Sequence, residues 1–372
     1  MELSFEQRSA VESDAEKTLV VAGAGVGKTR VLTERAKYLL NNGVNPQKLV
    51  LITYTNNAAQ EIRTRLTDCV GFDKVTMSTI HSYAAQLLAM NKINIDGLLE
   101  RAKEDDDFDR LFVEVKRNLT KMYIPEIDHL LIDEFQDVAP QEYTFIKTVL
   151  KPKHLFAVGD PRQMIYSFKG SSKDVFDSLY EDPETKIYEL TENYRCKAGI
   201  LKVAQQTISD LPEAIITDVI PMRDGKADIS TISFDIDRVI DILKNDGNYK
   251  DWFVLARTNK LIREIADEFT NSGIPFVNFR QAEKTTEEIK ELMDANVVKL
   301  LTIHSAKGLE SKNVILFENY LGSTKWPQED RDEEKRIRYV GITRAEDKLI
   351  LVKQRRRGTP SKTRYGFGGF NY

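Results

Sequence analysis

The sequence predicts an α/β fold with two groups of parallel strands, each covered by helices on both faces. Three observations carry this reading. Short apolar runs alternate with segments of helical period along almost the whole chain, the pattern of βαβ units. Ten such runs are many for one doubly wound sheet, and they fall into two groups. A glycine-rich loop joins the first run to the first helix.

In chain order, the first group is Thr18–Ala22, Leu49–Tyr54, His129–Ile132, Leu155–Val158 and Ile187–Leu190. The second is Asp228–Ile232, Trp252–Ala256, Val298–Ile303, Asn313–Phe317 and Lys348–Val352. Helical patterns lie between them, at Lys28–Leu40, Ala58–Cys69, Gln141–Leu150, Ile200–Ser209, Leu261–Ser272 and Glu333–Arg344. Two stretches break the alternation. Ala84–Met122 reads as helix alone, a small insertion holding the acidic run Glu104–Asp107. Gln281–Asn296 reads as a polar helical connector. The division falls near Glu189–Arg195. The expected domains are 1–83 with 127–190, a helical insertion at 84–126, and 191–372 with a vestigial insertion near 281–296.

A chain of 372 residues can give each domain its own core without disulfide or metal staples. Lys and Arg (54) nearly balance Asp and Glu (58), which excludes a histone-like protein and an acidic tail protein. A locally basic surface for nucleic acid stays open. Cys69 and Cys196 are too few for a disulfide framework, and four scattered histidines make a structural zinc site unexpected. No apolar run approaches the roughly 18 residues of a membrane span. Met1–Asp14 lacks a signal-peptide core, so a soluble, cytoplasmic protein is expected. The last twenty residues carry six basic groups and no acid, with Tyr365, Phe367, Phe370 and Tyr372 among glycines. Composition alone reads them as a solvated tail.

The strongest local signal is Ala22-Gly23-Ala24-Gly25-Val26-Gly27-Lys28-Thr29. A strand ends in a glycine-rich loop and a helix starts at Gly-Lys-Thr, so loop amides and helix N-terminus form a cradle for a triphosphate. Lys28 is expected on the β and γ phosphates and the Thr29 hydroxyl on Mg²⁺. Asp133 and Glu134 follow an apolar strand, at the edge where such sheets bind ligands. Asp133 is expected to hold Mg²⁺ through water, and Glu134 to orient or deprotonate an attacking water. A small-molecule kinase or switch GTPase does not need a second α/β unit. A cleft between two units can close on a γ-phosphate, with Arg195 and Arg344 supplied from the far side.

The order and wording of these motifs resemble superfamily 1 DNA helicases of the UvrD/PcrA/Rep type, over nearly the whole chain. The resemblance implies two tandem RecA-like P-loop NTPase domains. Phe5-Glu6-Gln7-Arg8 is similar to the family's adenine-reading motif, which implies that Gln7 reads the base, and Ala22–Arg30 matches the phosphate loop. Ile52–Asn56 resembles a single-strand contact motif, with Tyr54, Thr55 and Asn56 as its candidates, and Ser78–Ser82 resembles the next, with His81. Asp133-Glu134-Phe135-Gln136-Asp137 matches the acidic motif, which implies Glu134 as base. Gly159–Gly170 resembles the motif joining γ-phosphate to DNA. It implies Gln163 as phosphate sensor, with Tyr166, Phe168 and Lys169 facing the strand. Asn193-Tyr194-Arg195 implies adenine stacking on Tyr194 and Arg195 at the γ-phosphate. Leu255–Asn259 implies strand contacts from Arg257 and Asn259. Thr302–Glu310 implies DNA contact by His304 and ribose binding by Glu310. Tyr339–Ala345 implies Arg344 as a second γ-phosphate arginine.

Pro161, Met164, Phe168, Cys196 and Ser311 depart from the family pattern without removing a catalytic group. The large helical insertions of the family are also pared down here. The implied activity is ATP-dependent, 3′-to-5′ movement on single-stranded DNA by a monomeric motor, with Mg²⁺ as cofactor. Single-strand/duplex junctions, and replication or repair proteins, are the implied partners. The tail occupies the place of a hairpin that touches the fork, which implies DNA contacts from Arg355, Arg356, Arg357 and Tyr365. Two alternatives remain: a translocase that strips proteins with little unwinding, and a nucleic-acid-binding regulator switched by ATP.

Overall fold

The structure, a computed structural model, describes residues 2–105, 107–166, 170, 172–211, 219–279, 286–318 and 327–353. Phe168, Lys169, Arg355, Arg356, Arg357 and Tyr365 lie outside the described residues.

The first sheet contains β1 (Lys17–Ala22), β2 (Leu49–Ile52), β3 (Thr76–Ser78), β4 (His129–Ile132), β5 (His154–Gly159) and β6 (Thr185–Leu190). Its order is β3-β2-β4-β5-β1-β6, and every pairing is parallel. The apolar runs explain this: Leu19, Val20, Leu130, Leu131, Ala157 and Val158 are almost completely buried. Strands buried on both faces need cover on both sides, and continuous hydrophobicity is its signature. The helices are α1 (Phe5–Val11), α2 (Lys28–Asn41), α3 (Asn56–Arg65), α4 (Ile80–Met90), α5 (Asp96–Glu104), α6 (Arg110–Asn118), α7 (Pro140–Phe145) and α8 (Lys173–Tyr180). The segment expected to be helix alone is α4 to α6, and it packs Leu87, Leu88, Leu111 and Val115 onto the sheet's core. The predicted helix over Gln141–Leu150 is α7 followed by one π turn, Ile146–Leu150.

Thr191 alone separates β6 from β7 (Glu192–Lys197), which pairs in parallel with β8 (Ile220–Arg223). The second sheet contains β9 (Asp228–Ser233), β10 (Trp252–Ala256), β11 (Phe276–Asn278), β12 (Val298–Thr302), β13 (Ser311–Glu318) and β14 (Ala345–Lys353). Its order is β11-β12-β10-β13-β14-β9, again wholly parallel. Helices α9 (Ala198–Ile208), α10 (Ile236–Asp246), α11 (Asn259–Ser272), α12 (Thr286–Asp294) and α13 (Gln328–Ile342) accompany it. Helix α11 is typical of their punctuation: Thr258 caps the Leu261 amide at 3.3 Å, and Gly273 ends the helix in the left-handed region. No described helix is long and apolar enough to cross a membrane.

Four strands escaped the sequence reading: β3, β7, β8 and β11. Two have three residues each, β7 is largely polar, and β8 is a short, mostly exposed Ile-Pro-Met-Arg segment interrupted by proline, so none makes a buried apolar run.

Candidate functional site

The loop after β1 leads into α2 with Gly27 as its N-cap, so the first helical amides face the loop. The Lys28 ammonium donates to the carbonyls of Ala22 (3.1 Å) and Gly23 (3.2 Å). Burial presses its pKa down, against the pull of the Glu134, Asp160 and Asp133 carboxylates. Thr29 and Arg30 sit half-buried in the first turn of α2. Gln7 is buried in α1; its amide nitrogen donates to the Val26 carbonyl at 3.0 Å, and its oxygen accepts from the Ser4 amide at 3.1 Å. The residue expected to read a base thus also braces the loop.

Beyond β4, Asp133 is buried, and its Oδ1 accepts from the Glu134 amide at 2.9 Å. Glu134 adopts φ 50° and ψ 46°, the left-handed region that costs a non-glycine residue energy and recurs at functional sites. Burial and then the Glu134 charge push Asp133 upward. Burial alone would raise Glu134 too, but Lys28, Lys307 and the Gln136 amide outweigh it and hold its carboxyl well below the usual range. The pair is therefore split, with Glu134 the better ionised partner. Gln136 donates to Glu134 at 2.5 Å and accepts from the Asp160 amide at 2.8 Å, tying the acidic turn to the end of β5. There Asp160 holds Arg162 at 2.7 Å and the Gln163 amide at 2.8 Å.

The second half of the chain reaches this loop directly. Asn193, fully buried in β7, donates to the Ala24 carbonyl at 2.6 Å and accepts from the Arg195 and Cys196 amides at 3.1 and 2.8 Å. The Tyr194 amide donates to the Gly25 carbonyl at 2.9 Å. Gly25 permits this approach because a Cβ there would lie 2.6 Å from that of Arg195. The Tyr194 hydroxyl donates to Glu192. Arg195 pairs with Glu310 at 2.5 Å and donates to the Thr343 carbonyl at 3.3 Å. The groups expected at γ-phosphate and ribose are thus bound to each other. Arg344 is buried and donates to Val340 O (2.9 Å), Leu309 O (3.0 Å) and Thr343 Oγ1 (3.1 Å). Burial and then the Arg195 charge press its pKa down. Arg162 lies over the Tyr339 ring at 5.8 Å, a further contact across the seam.

The expected strand contacts fall into separate places. Tyr54 and Tyr166 stack with centroids 5.0 Å apart, and His304 adjoins Tyr166 at 5.9 Å, so three candidates form one aromatic group. Thr55 caps α3 through the Ala58 amide (3.2 Å), with Asn56 exposed beside it. His81 lies elsewhere, stacked on Phe112 and 3.1 Å from Asp109 of the insertion. Arg257 donates to Glu334 of α13 at 2.8 Å, while Asn259 is exposed at the start of α11.

Sequence reasoning gave no role to Asn193, Gln136, Asp160 or Lys307. Each lies inside a quoted motif, which was the only signal available.

Residues 7–169 match the family described as an AAA domain, and residues 188–294 and 280–356 match the UvrD-like helicase C-terminal domain. A probable DNA helicase of Mycoplasma pneumoniae is 27% identical, over 94% of this chain and 83% of its own. The ATP-dependent DNA helicases PcrA of Staphylococcus epidermidis and Staphylococcus aureus are each 26% identical over 78% of this chain. The matched region spans 53% of those two relatives.

Proposed function

The chain belongs to the UvrD-like superfamily 1 helicases, and from that premise we propose an ATP-driven motor that moves 3′-to-5′ on single-stranded DNA and parts strands ahead of it. Residues 1–83 with 127–190 make one motor domain and 191–372 the other, with 84–126 as a reduced insertion. The observation that carries this reading is the seam. Asn193 and Tyr194 of the second half bind the phosphate loop of the first, with Arg195 next in sequence. A nucleotide in such a cleft is a ligand of both halves, so its γ-phosphate can bias a two-state arrangement.

The residues fit a Mg²⁺ site. The Thr29 hydroxyl and the buried Asp133 carboxylate are hard oxygen donors, and the crowding of Asp133 by Glu134 favours a cation there. Few protein ligands suit an ion that keeps several waters and shares the phosphates. When bound, it neutralises charge on the phosphate oxygens. Glu134 accepts the proton of the attacking water, and Gln163 and Lys28 contact the γ-phosphate. Arg195 and Arg344 stabilise the charge that develops. Three of Arg344's five N–H groups are fixed by protein acceptors, so its fork is oriented in advance. ATP entry exchanges the Arg195–Glu310 pair for phosphate and ribose contacts.

Tyr54, Tyr166 and His304 supply a stacking surface that tolerates any base sequence. The test is steady-state ATP hydrolysis with and without single-stranded DNA. Lys28→Ala and Glu134→Gln should abolish turnover while DNA binding survives; turnover indifferent to DNA overturns the reading. The shortness of the 281–296 segment favours a second reading, a translocase that displaces proteins but unwinds little. Fork unwinding beside streptavidin displacement separates the two.

A further inference from the structure

The sharp turn after β12 sends one side chain across the seam into the first half. Residues 302–308 are wound tightly: the Ala306 amide bonds back to Thr302, the Lys307 amide to His304, and the Thr302 and Ser305 hydroxyls meet at 2.9 Å. This leaves Lys307 pointing away from its own sheet. Its ammonium is almost wholly buried and binds the buried Asp137 carboxylate, at the end of the acidic turn. It also donates to the Gln163 carbonyl at 3.0 Å and stands 4.0 Å from a Glu134 oxygen. The same ammonium lies 5.0 Å above the ring centroid of Tyr166, which stacks on Tyr54.

One cation therefore touches three groups with different duties: the aromatic stack, the turn carrying Gln163, and the turn carrying Glu134. A buried charge of this kind cannot leave one partner without keeping others. A cation held over an aromatic face follows that ring. When a base stacks on the Tyr54–Tyr166 pair and moves the ring, Lys307 must shift with it. Asp137 and the Gln163 carbonyl shift in turn.

We propose that Lys307 is the positioning residue through which an occupied single-strand track sets the geometry of the hydrolytic turn. The inference rests on the motor reading above and gives it a physical link. Gln163 lies beside this link, but the ammonium contacts its carbonyl and leaves its side chain to Asp160.

The test is ATP hydrolysis by the full chain at saturating ATP, with and without saturating oligo(dT), read as the ratio of the two kcat values. Two variants are compared with the parent: the double Lys307→Met/Asp137→Asn, which leaves no lone buried charge, and Lys307→Arg, which keeps the charge but spreads it over a planar fork. The double variant should lose about tenfold in that ratio, within the usual range of coupling between sites. Lys307→Arg should fall between it and the parent. A ratio unchanged in both variants, or rates with and without DNA that fall by one common factor, overturns the inference. A parent whose hydrolysis ignores oligo(dT) overturns the motor reading and this inference together.

Discussion

Gly25 offers the sharpest test of how the two halves are joined. Its φ is +73°, and a Cβ there would lie 2.6 Å from the Arg195 Cβ and 2.9 Å from the side-chain Nδ2 of Asn193. Carbon atoms pack at about 3.5–4.0 Å, so Gly25→Ala must part the loop from β7 by about 1 Å. The left-handed backbone costs an alanine about 1–2 kcal/mol. Parting the surfaces also weakens the Asn193–Ala24 and Tyr194–Gly25 hydrogen bonds, each with a net worth of about 1 kcal/mol. Gly43→Ala separates these effects, because Gly43 has φ +83° but nothing within 4 Å of its Cβ position. It bears the backbone cost alone. Gly25→Ala should therefore lose about 3–4 kcal/mol against about 1–2 for Gly43→Ala. The loss is read from urea midpoints, with titration of a fluorescent ATP analogue beside them. Only Gly25→Ala should also weaken the analogue. Equal losses in the two variants, with nucleotide affinity intact, would refute the seam.

Three further outcomes are expected. The His129 and His154 rings stack at 4.6 Å, and burial, then the His154 charge, presses His129 from 6.5 down to about 4. The unfolded chain takes up that proton first as pH falls, so the stability it carries is complete above 6.5 and lost toward 4. It amounts to at most about 3 kcal/mol. Denaturant midpoints across that window should fall, and His129→Phe should flatten the fall. Tyr54→Ala and Tyr166→Ala should each weaken oligo(dT) binding by about 1–3 kcal/mol in fluorescence anisotropy. Because the rings touch, the double variant should lose less than the sum; strict additivity counts against a shared platform. Deleting Arg355–Tyr372 should reduce fork unwinding more than DNA-stimulated hydrolysis, and equal loss of both sinks the fork role of the tail.

The legible part of the fold is the part whose chemistry is continuous along the chain. Runs such as His129–Ile132 and Trp252–Ala256 are buried on both faces and coincide with β4 and β10 at both ends. Three-residue edge strands such as β3 have too few side chains to make a pattern. β7, Glu-Asn-Tyr-Arg-Cys-Lys, is polar because it serves the seam as well as a sheet. At the site, loop and acidic turn were visible because strand, turn and helix follow one another. The links between halves were not: Asn193 and Ala24 are 169 positions apart, Lys307 and Asp137 170. No periodicity records such a distance. Nor does sequence order reveal that Tyr54 and Tyr166 lie on each other while His81 stands apart with the insertion.

Thr191 is the only residue between the last strand of the first sheet and β7. Its amide and hydroxyl are held by Glu6 at 3.0 and 2.9 Å, and its carbonyl accepts from the Ile220 amide at 2.8 Å. A joint of one residue, anchored on both sides, has no slack to stretch. A motion of one half against the other would therefore have to turn about this crossing rather than stretch it, with travel growing away from Thr191. On the motor reading proposed above, the stroke would then be a matter of leverage, its length following the breadth of the sheets rather than any elastic linker.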